Sequence, residues 1–165
     1  MRYLKLQVLF SDTVRIIKMS IEEEFPTRTL LDKYFDHDLL ERDIIGRFNL
    51  PDGKITKSGT KMLFRGEMLL FTWNTELVRI GRTDSGLVSA VNSSGMSGKG
   101  EKKSYPNYFV IDMETLKKPN QLLFQSDLNS ILSEISGAKV NAISQAFNWI
   151  EETEKLEDWF ESLEL

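Results

Sequence analysis

The chain has no cysteine, a single histidine and no apolar run approaching a membrane span. The missing cysteines remove disulfides, thiolate catalysis and cysteine-bound zinc together, and are compatible with a reducing cytoplasm. A spanning helix needs ~20 consecutive apolar residues, so no membrane partner is expected. The opening Met1-Arg-Tyr-Leu-Lys-Leu alternates polar and apolar residues and lacks a secretory apolar block, which reads as the first strand of a cytoplasmic protein.

The histidine supports little chemistry. His37 stands among Asp36, Asp38 and Glu41, a metal cluster on paper. Helical neighbours diverge by about 100° per residue, so only His37 and Glu41, at i and i+4, can converge. Two ligands do not make a tight site. A solvated helix face is the expectation, with no metal and no cofactor. Nucleophilic hydrolysis would need a serine and an acid carried to His37, and no Gly-x-Ser-x-Gly elbow is present. The run Ser94-Gly-Met-Ser-Gly-Lys-Gly100 evokes a phosphate loop but has Ser93 and Gly100 where that motif requires Gly and Ser/Thr, which excludes a P-loop nucleotidase.

What is present is an ordinary globular composition over 165 residues, 41% hydrophobic and 28% charged. That length suits one domain with a real core. The net charge of −4 argues against an anionic partner until its distribution is considered. Residues 45–118 hold twelve Lys/Arg against seven Asp/Glu, a net +5, whereas residues 119–165 hold two against nine, a net −7. A basic face can therefore exist on an acidic protein.

Along the chain, Tyr3–Phe10 and Val14–Ile21 have the pattern of strands. Thr29 is a candidate N-cap for a helix over Leu30–Arg42. Strands are expected at Met68–Trp73 and Glu76–Gly81, joined by a tight turn at Asn74-Thr75, although neither residue is the glycine such turns prefer. A short strand follows at Leu87–Val91. A long Gly- and Lys-rich loop, residues 92–107, feeds a strand at Tyr108–Asp112, and a loop of that length tends to be functional or disordered. Ser126-Asp127 can cap a helix over Leu128–Ile135, ended by Ser136-Gly137. An acidic helical stretch, Ala142–Leu163, closes the chain. The fold class predicted is α+β: a small, strongly bent β-sheet or barrel flanked by helices. It forms a single domain over 1–165, with a β-rich core at 1–118 containing one early helix and a helical part at 126–163.

Strands beside a basic loop can form a base-stacking surface next to a phosphate-binding arm. Phe71 and Trp73 share a strand face; Phe71 fits core packing, while Trp73 stands at the strand's end. Candidate base-binding residues are Trp73, Asn74, Ser89, Tyr105 and Tyr108. Candidate phosphate-binding residues are Arg79, Arg82, Lys99, Lys102 and Lys103, with Gly95, Gly98 and Gly100 letting the loop adapt. Two alternatives stand beside this reading. Trp149, Ile150, Trp159 and Phe160 on the acidic C-terminal stretch suit a protein-interaction or assembly module. Pro51-Asp52 with Glu101-Lys-Lys103 matches a loose magnesium-nuclease pattern.

The run Arg65-Gly-Glu-Met-Leu-Leu-Phe-Thr-Trp-Asn-Thr-Glu-Leu-Val-Arg-Ile-Gly-Arg82 resembles an element of the PUA-like superfamily, in particular its EVE-type branch. Tyr108-Phe-Val-Ile-Asp-Met-Glu-Thr-Leu-Lys-Lys-Pro119 is similar to the family's subsequent strand, and Asn141–Ile150 to its closing helical segment. The resemblance covers roughly half the chain. It implies a bent barrel that binds nucleic acid, with DNA preferred over RNA. A modified base would be flipped into an aromatic pocket, as in the specificity modules of McrBC-type modification-dependent restriction systems, which belong to larger complexes. The acidic Glu22-Glu-Glu24 and the second strand before it depart from the family pattern, which leaves the pocket's second wall unassigned.

Overall fold

The computed structural model describes residues 14–22, 24–50, 63, 65–89, 94–96, 102–104, 107–137, 139–140 and 153–164. The strand expected at Tyr3–Phe10 and residues 142–152 of the closing stretch lie outside them. A strand made of Met-Leu-Leu-Phe-Thr-Trp is apolar on both faces and can be stable only when both are covered. This is the situation of β3 (Met68–Trp73), whose first five residues are all buried. It pairs in parallel with β1 (Val14–Met19) and antiparallel with β4 (Glu76–Thr83).

One face of these strands carries Val14, Ile16, Met68, Leu70, Leu77 and Ile80. It packs under α2 (Gln125–Ser136), through Leu128, Leu132 and Ile135, and α3 (Thr153–Ser162), through Leu156 and Phe160. The other face carries Ile17, Met19, Leu69, Phe71 and Val78 and packs under Leu31, Phe35 and Leu39 of the early helical segment. That segment starts as α1 (Arg28–Lys33) and continues as a π-helical turn over Tyr34–Asp38, with the Leu39 N–H donating to the Tyr34 carbonyl at 3.1 Å. Its N-cap is Thr27, not Thr29: the Thr27 hydroxyl accepts from the Leu30 N–H at 3.3 Å, immediately after the helix-breaking Pro26.

The sheet order is β1-β3-β4-β8-β2. Strand β8 (Asn107–Lys117) is twice the expected length, and β2 (Arg47–Leu50) is a strand that the sequence reading left out. Two steps along β4, Ile80 to Arg82, oppose five along β8, Lys117 to Asp112. The surplus is absorbed locally. Thr115 Oγ accepts from the Arg82 N–H at 2.8 Å and donates to the Asp112 carbonyl at 2.6 Å. A bulge of this kind bends a strand and increases its twist. The consequence is visible in the aromatics. Phe48 of β2 meets Phe71 of β3 at 5.7 Å and stacks on Phe109 at 5.0 Å, although β4 and β8 separate β2 from β3 in the sheet. The sheet is curled into a half-barrel around Phe35, Phe48, Phe71 and Phe109, with helices against it, which is the α+β architecture expected. Each such ring pair contributes about 0.5–1.5 kcal/mol beyond its area.

After β8 the chain returns to β4. The Leu77 N–H donates to the Leu123 carbonyl at 2.8 Å and the Gln125 N–H to the Thr75 carbonyl at 2.9 Å. α2 then begins at Gln125, earlier than Ser126-Asp127 suggests, because Asp127 reaches back and accepts from the Phe124 N–H at 2.8 Å. Gly137, at φ 71°, ends it as expected.

Candidate functional site

The alternation Arg47-Phe-Asn-Leu50 places Phe48 and Leu50 in the core and Arg47 and Asn49 on the outer face of the half-barrel. Gly46 anchors the start of this strand. Its carbonyl accepts from the Ile111 N–H at 2.8 Å, its φ is +84°, and a Cβ there would stand 2.3 Å from the Ile111 carbonyl oxygen. Only glycine fits that approach. The Arg42 guanidinium holds the same corner, donating to the Arg47 carbonyl at 2.7 Å.

Pairing then sets a row across three strands. Asn49 of β2 lies opposite Tyr108 of β8, and Tyr108 lies opposite Val88 of β5 (Val88–Ser89). Directly opposed residues share a face, so Asn49, Tyr108 and Val88 stand side by side. Arg47 occupies the diagonal position. Its guanidinium carbon sits 4.1 Å from the Tyr108 ring centroid, and its Nε donates to Asn49 Oδ1 at 2.9 Å. All four residues are half-buried. A guanidinium held over a tyrosine ring by a hydrogen bond is a planar, positively charged platform.

The Gly- and Lys-rich stretch expected to be a loop contains a two-stranded ribbon, β6 (Ser94–Met96) against β7 (Lys102–Ser104). Met96 opposes Lys102 and Gly95 opposes Lys103. Three residue steps separate Ser104 from Asn107, so their Cα atoms are within about 11 Å. The ribbon therefore leaves the sheet beside Tyr108. Ser89 pairs with Asn107 in the same place. The structure thus brings together Ser89 and Tyr108, and the chain joins the ribbon that carries Lys102 and Lys103 to the same end of β8. Lys99, Tyr105, Gly98 and Gly100 lie outside the described residues, as do Pro51, Asp52 and Glu101 of the nuclease pattern.

The remaining expected site residues are elsewhere. Trp73 opposes Glu76 at the first residue of β4, whereas Tyr108 lies beyond Ile111, the partner of Thr83 at the last. Seven residue steps of β4 lie between, on the order of 20 Å along the strand. Trp73 and Tyr108 do not form one pocket. Trp73 is half-buried against the aromatic core, its Nε1 donates to the Phe25 carbonyl at 2.8 Å, and Arg28 approaches its ring at 6.0 Å. Asn74 is exposed at the hairpin tip.

Phosphate contact by Arg79 and Arg82 is corrected by their burial. Arg79 is 2% exposed and donates to Asp32 at 3.0 Å and Asp36 at 3.4 Å, with Phe35 beneath its guanidinium at 5.2 Å. Arg82 is 6% exposed and pairs with the buried Glu157 of α3, over the Phe160 ring at 5.0 Å. A third arginine, Arg15, pairs with Glu67 at 2.7 Å, both fully buried. These side chains tie helices and strands to the sheet. Burial works to raise the Asp32 pKa. The Arg79 hydrogen bond and charge, with the charges of Arg28 and Lys118, outweigh it and hold the carboxyl below its ordinary value of 3.8.

His37 is exposed on the π-helical turn, and among the described residues no three His, Asp or Glu side chains converge as metal ligands. Leu156 and Phe160 of the acidic C-terminal helix are fully buried and Trp159 packs against the same core; Trp149 and Ile150 lie outside the described residues. Among the described residues no helix is long and apolar enough to cross a membrane. Arg47 and Asn49 were missed by the sequence reading. The signal that could have found them is the Arg-Phe-Asn-Leu alternation, too short to stand out before Pro51-Asp-Gly53.

Comparison of the chain with protein-family models, with curated proteins and with solved structures found no match, and none identifies a PUA-like or EVE-type domain.

Proposed function

We propose that this chain is a non-catalytic nucleic-acid-binding domain whose contact surface is the outer row of β2, β8 and β5 together with the β6–β7 ribbon. The observation that carries the reading is the Arg47 guanidinium held over the Tyr108 ring by Asn49, at the root of a ribbon bearing Lys102 and Lys103. Planar groups stack on bases, and lysines meet phosphates without regard to sequence. With the buried, ion-paired Arg79 and Arg82 set aside, residues 45–118 still hold ten Lys/Arg against seven Asp/Glu, a net positive charge that agrees with such a partner. Modified-base reading and a place within a larger restriction-type assembly stay with the resemblance alone.

The test is a low-salt anisotropy titration of the full chain with labelled DNA and RNA, each single-stranded and duplex. Binding is expected to weaken steeply with added salt. Lys102→Gln combined with Lys103→Gln should weaken every sequence about equally, as loss of phosphate contacts does. Absence of binding to all four ligands sinks the proposal.

A further inference from the structure

We infer that the Arg47–Tyr108 row takes the unpaired bases of a single strand, not a base flipped out of a duplex; this rests on the nucleic-acid reading above. A flipped base must recover a few kcal/mol of lost pairing and stacking, which calls for a pocket enclosing it on both sides. The row crosses three strands of a single sheet, Asn49, Tyr108 and Val88, and Trp73 belongs to the opposite end of β4. A single strand brings bases already free to stack and needs only a platform beside a source of positive charge.

The row meets that description in its details. Asn49 Oδ1 takes the Arg47 Nε–H at 2.9 Å and so fixes the guanidinium over the ring at 4.1 Å. A base laid on the guanidinium would meet a planar, cationic group whose place over the tyrosine ring is already fixed. Half-burial of both side chains leaves each with surface to offer. Strand β7 ends two residues before β8, so the lysine-bearing ribbon is joined to the row by a short stretch of chain. Arg47 is thus a base-stacking residue, and Asn49 positions it.

The experiment compares three labelled oligonucleotides on the unmodified chain: a natural single strand, the same strand carrying abasic sites, and the duplex of that sequence, as DNA and as RNA. The natural single strand is expected to bind at least about tenfold more tightly than the abasic strand, the usual scale of one lost stack. It should also bind more tightly than the duplex. Arg47→Lys keeps the charge and loses the plane. It is expected to remove most of the preference for natural over abasic strand, whereas Tyr108→Phe, which keeps the ring, should preserve that preference. Urea midpoints of both variants separate a binding effect from a folding one. Equal binding of natural and abasic strands, or tighter binding of the duplex, overturns the inference and leaves nucleic-acid binding standing. Failure of all the ligands to bind removes the parent reading and the inference together.

Discussion

Asn74 and Thr75 hold positive φ values of 49° and 66° because a two-residue hairpin between right-twisted strands needs both central residues in the left-handed region. Asparagine tolerates this; a β-branched threonine does so under strain. The hairpin persists because its flanks are fixed, with Trp73 bonded to the Phe25 carbonyl and the Thr75 carbonyl taking the Gln125 N–H. Thr75→Gly removes the Cβ that causes the strain. It is expected to stabilise the fold by about 1 kcal/mol, read as a higher urea midpoint with unchanged slope. A lower midpoint would mean that the threonine side chain makes a contact worth more than its strain. The turn was legible from the sequence despite its missing glycine, since two apolar runs leave Asn74-Thr75 as the natural break. Arg79 and Arg82 were not legible. An arginine on a strand reads the same whether it faces phosphate, water or a carboxylate supplied by a distant helix, and here Asp32, Asp36 and Glu157 supply the partners.

Those partners define how elements are held to one another. α1 and the π-helical turn that continues it meet the sheet through Leu31 and Phe35, and through the bond from Arg79 of β4 to Asp32. The Asp32 pKa is depressed in the folded protein, so its contribution to stability is complete above the unfolded value near 3.8 and is lost as pH falls through the lower folded value. The stability difference between the wild type and Asp32→Asn is therefore expected to be constant above about pH 5 and to shrink on acidification through the range below about pH 4. A difference that grows on acidification would reverse the assignment. At this scale the sequence was informative where periodicity is long: β1, β3, β4 and α2 fall close to their expected places. It was silent where structure comes from pairing. β2 is four residues, the ribbon strands are three each, and the extension of β8 past Asp112 depends on a bulge stitched by Thr115. None of these carries enough local pattern to be seen without its partner strand.

For the molecule as a whole, the question is whether its two core clusters fold as one. They are opposite faces of the same strands: Met68 and Leu70 point into one cluster, Leu69 and Phe71 into the other, and β1 divides its residues the same way. Neither cluster can lose β3 without removing the floor of its neighbour, which is the structural condition for an all-or-none transition. The chain carries its own reporters. Trp73 packs against the aromatic cluster under α1, and Trp159 against the cluster under α2 and α3. A variant with Trp149→Phe and Trp159→Phe follows the first by fluorescence, and one with Trp73→Phe and Trp149→Phe follows the second. Each substitution shifts stability by its own amount, so each fluorescence transition is compared with far-UV circular dichroism of the same variant. Coincidence within both variants is expected. A Trp159 signal that leads the circular dichroism would show that α2 and α3 leave the sheet while the half-barrel persists, and the shared strands would then not suffice to couple the two faces.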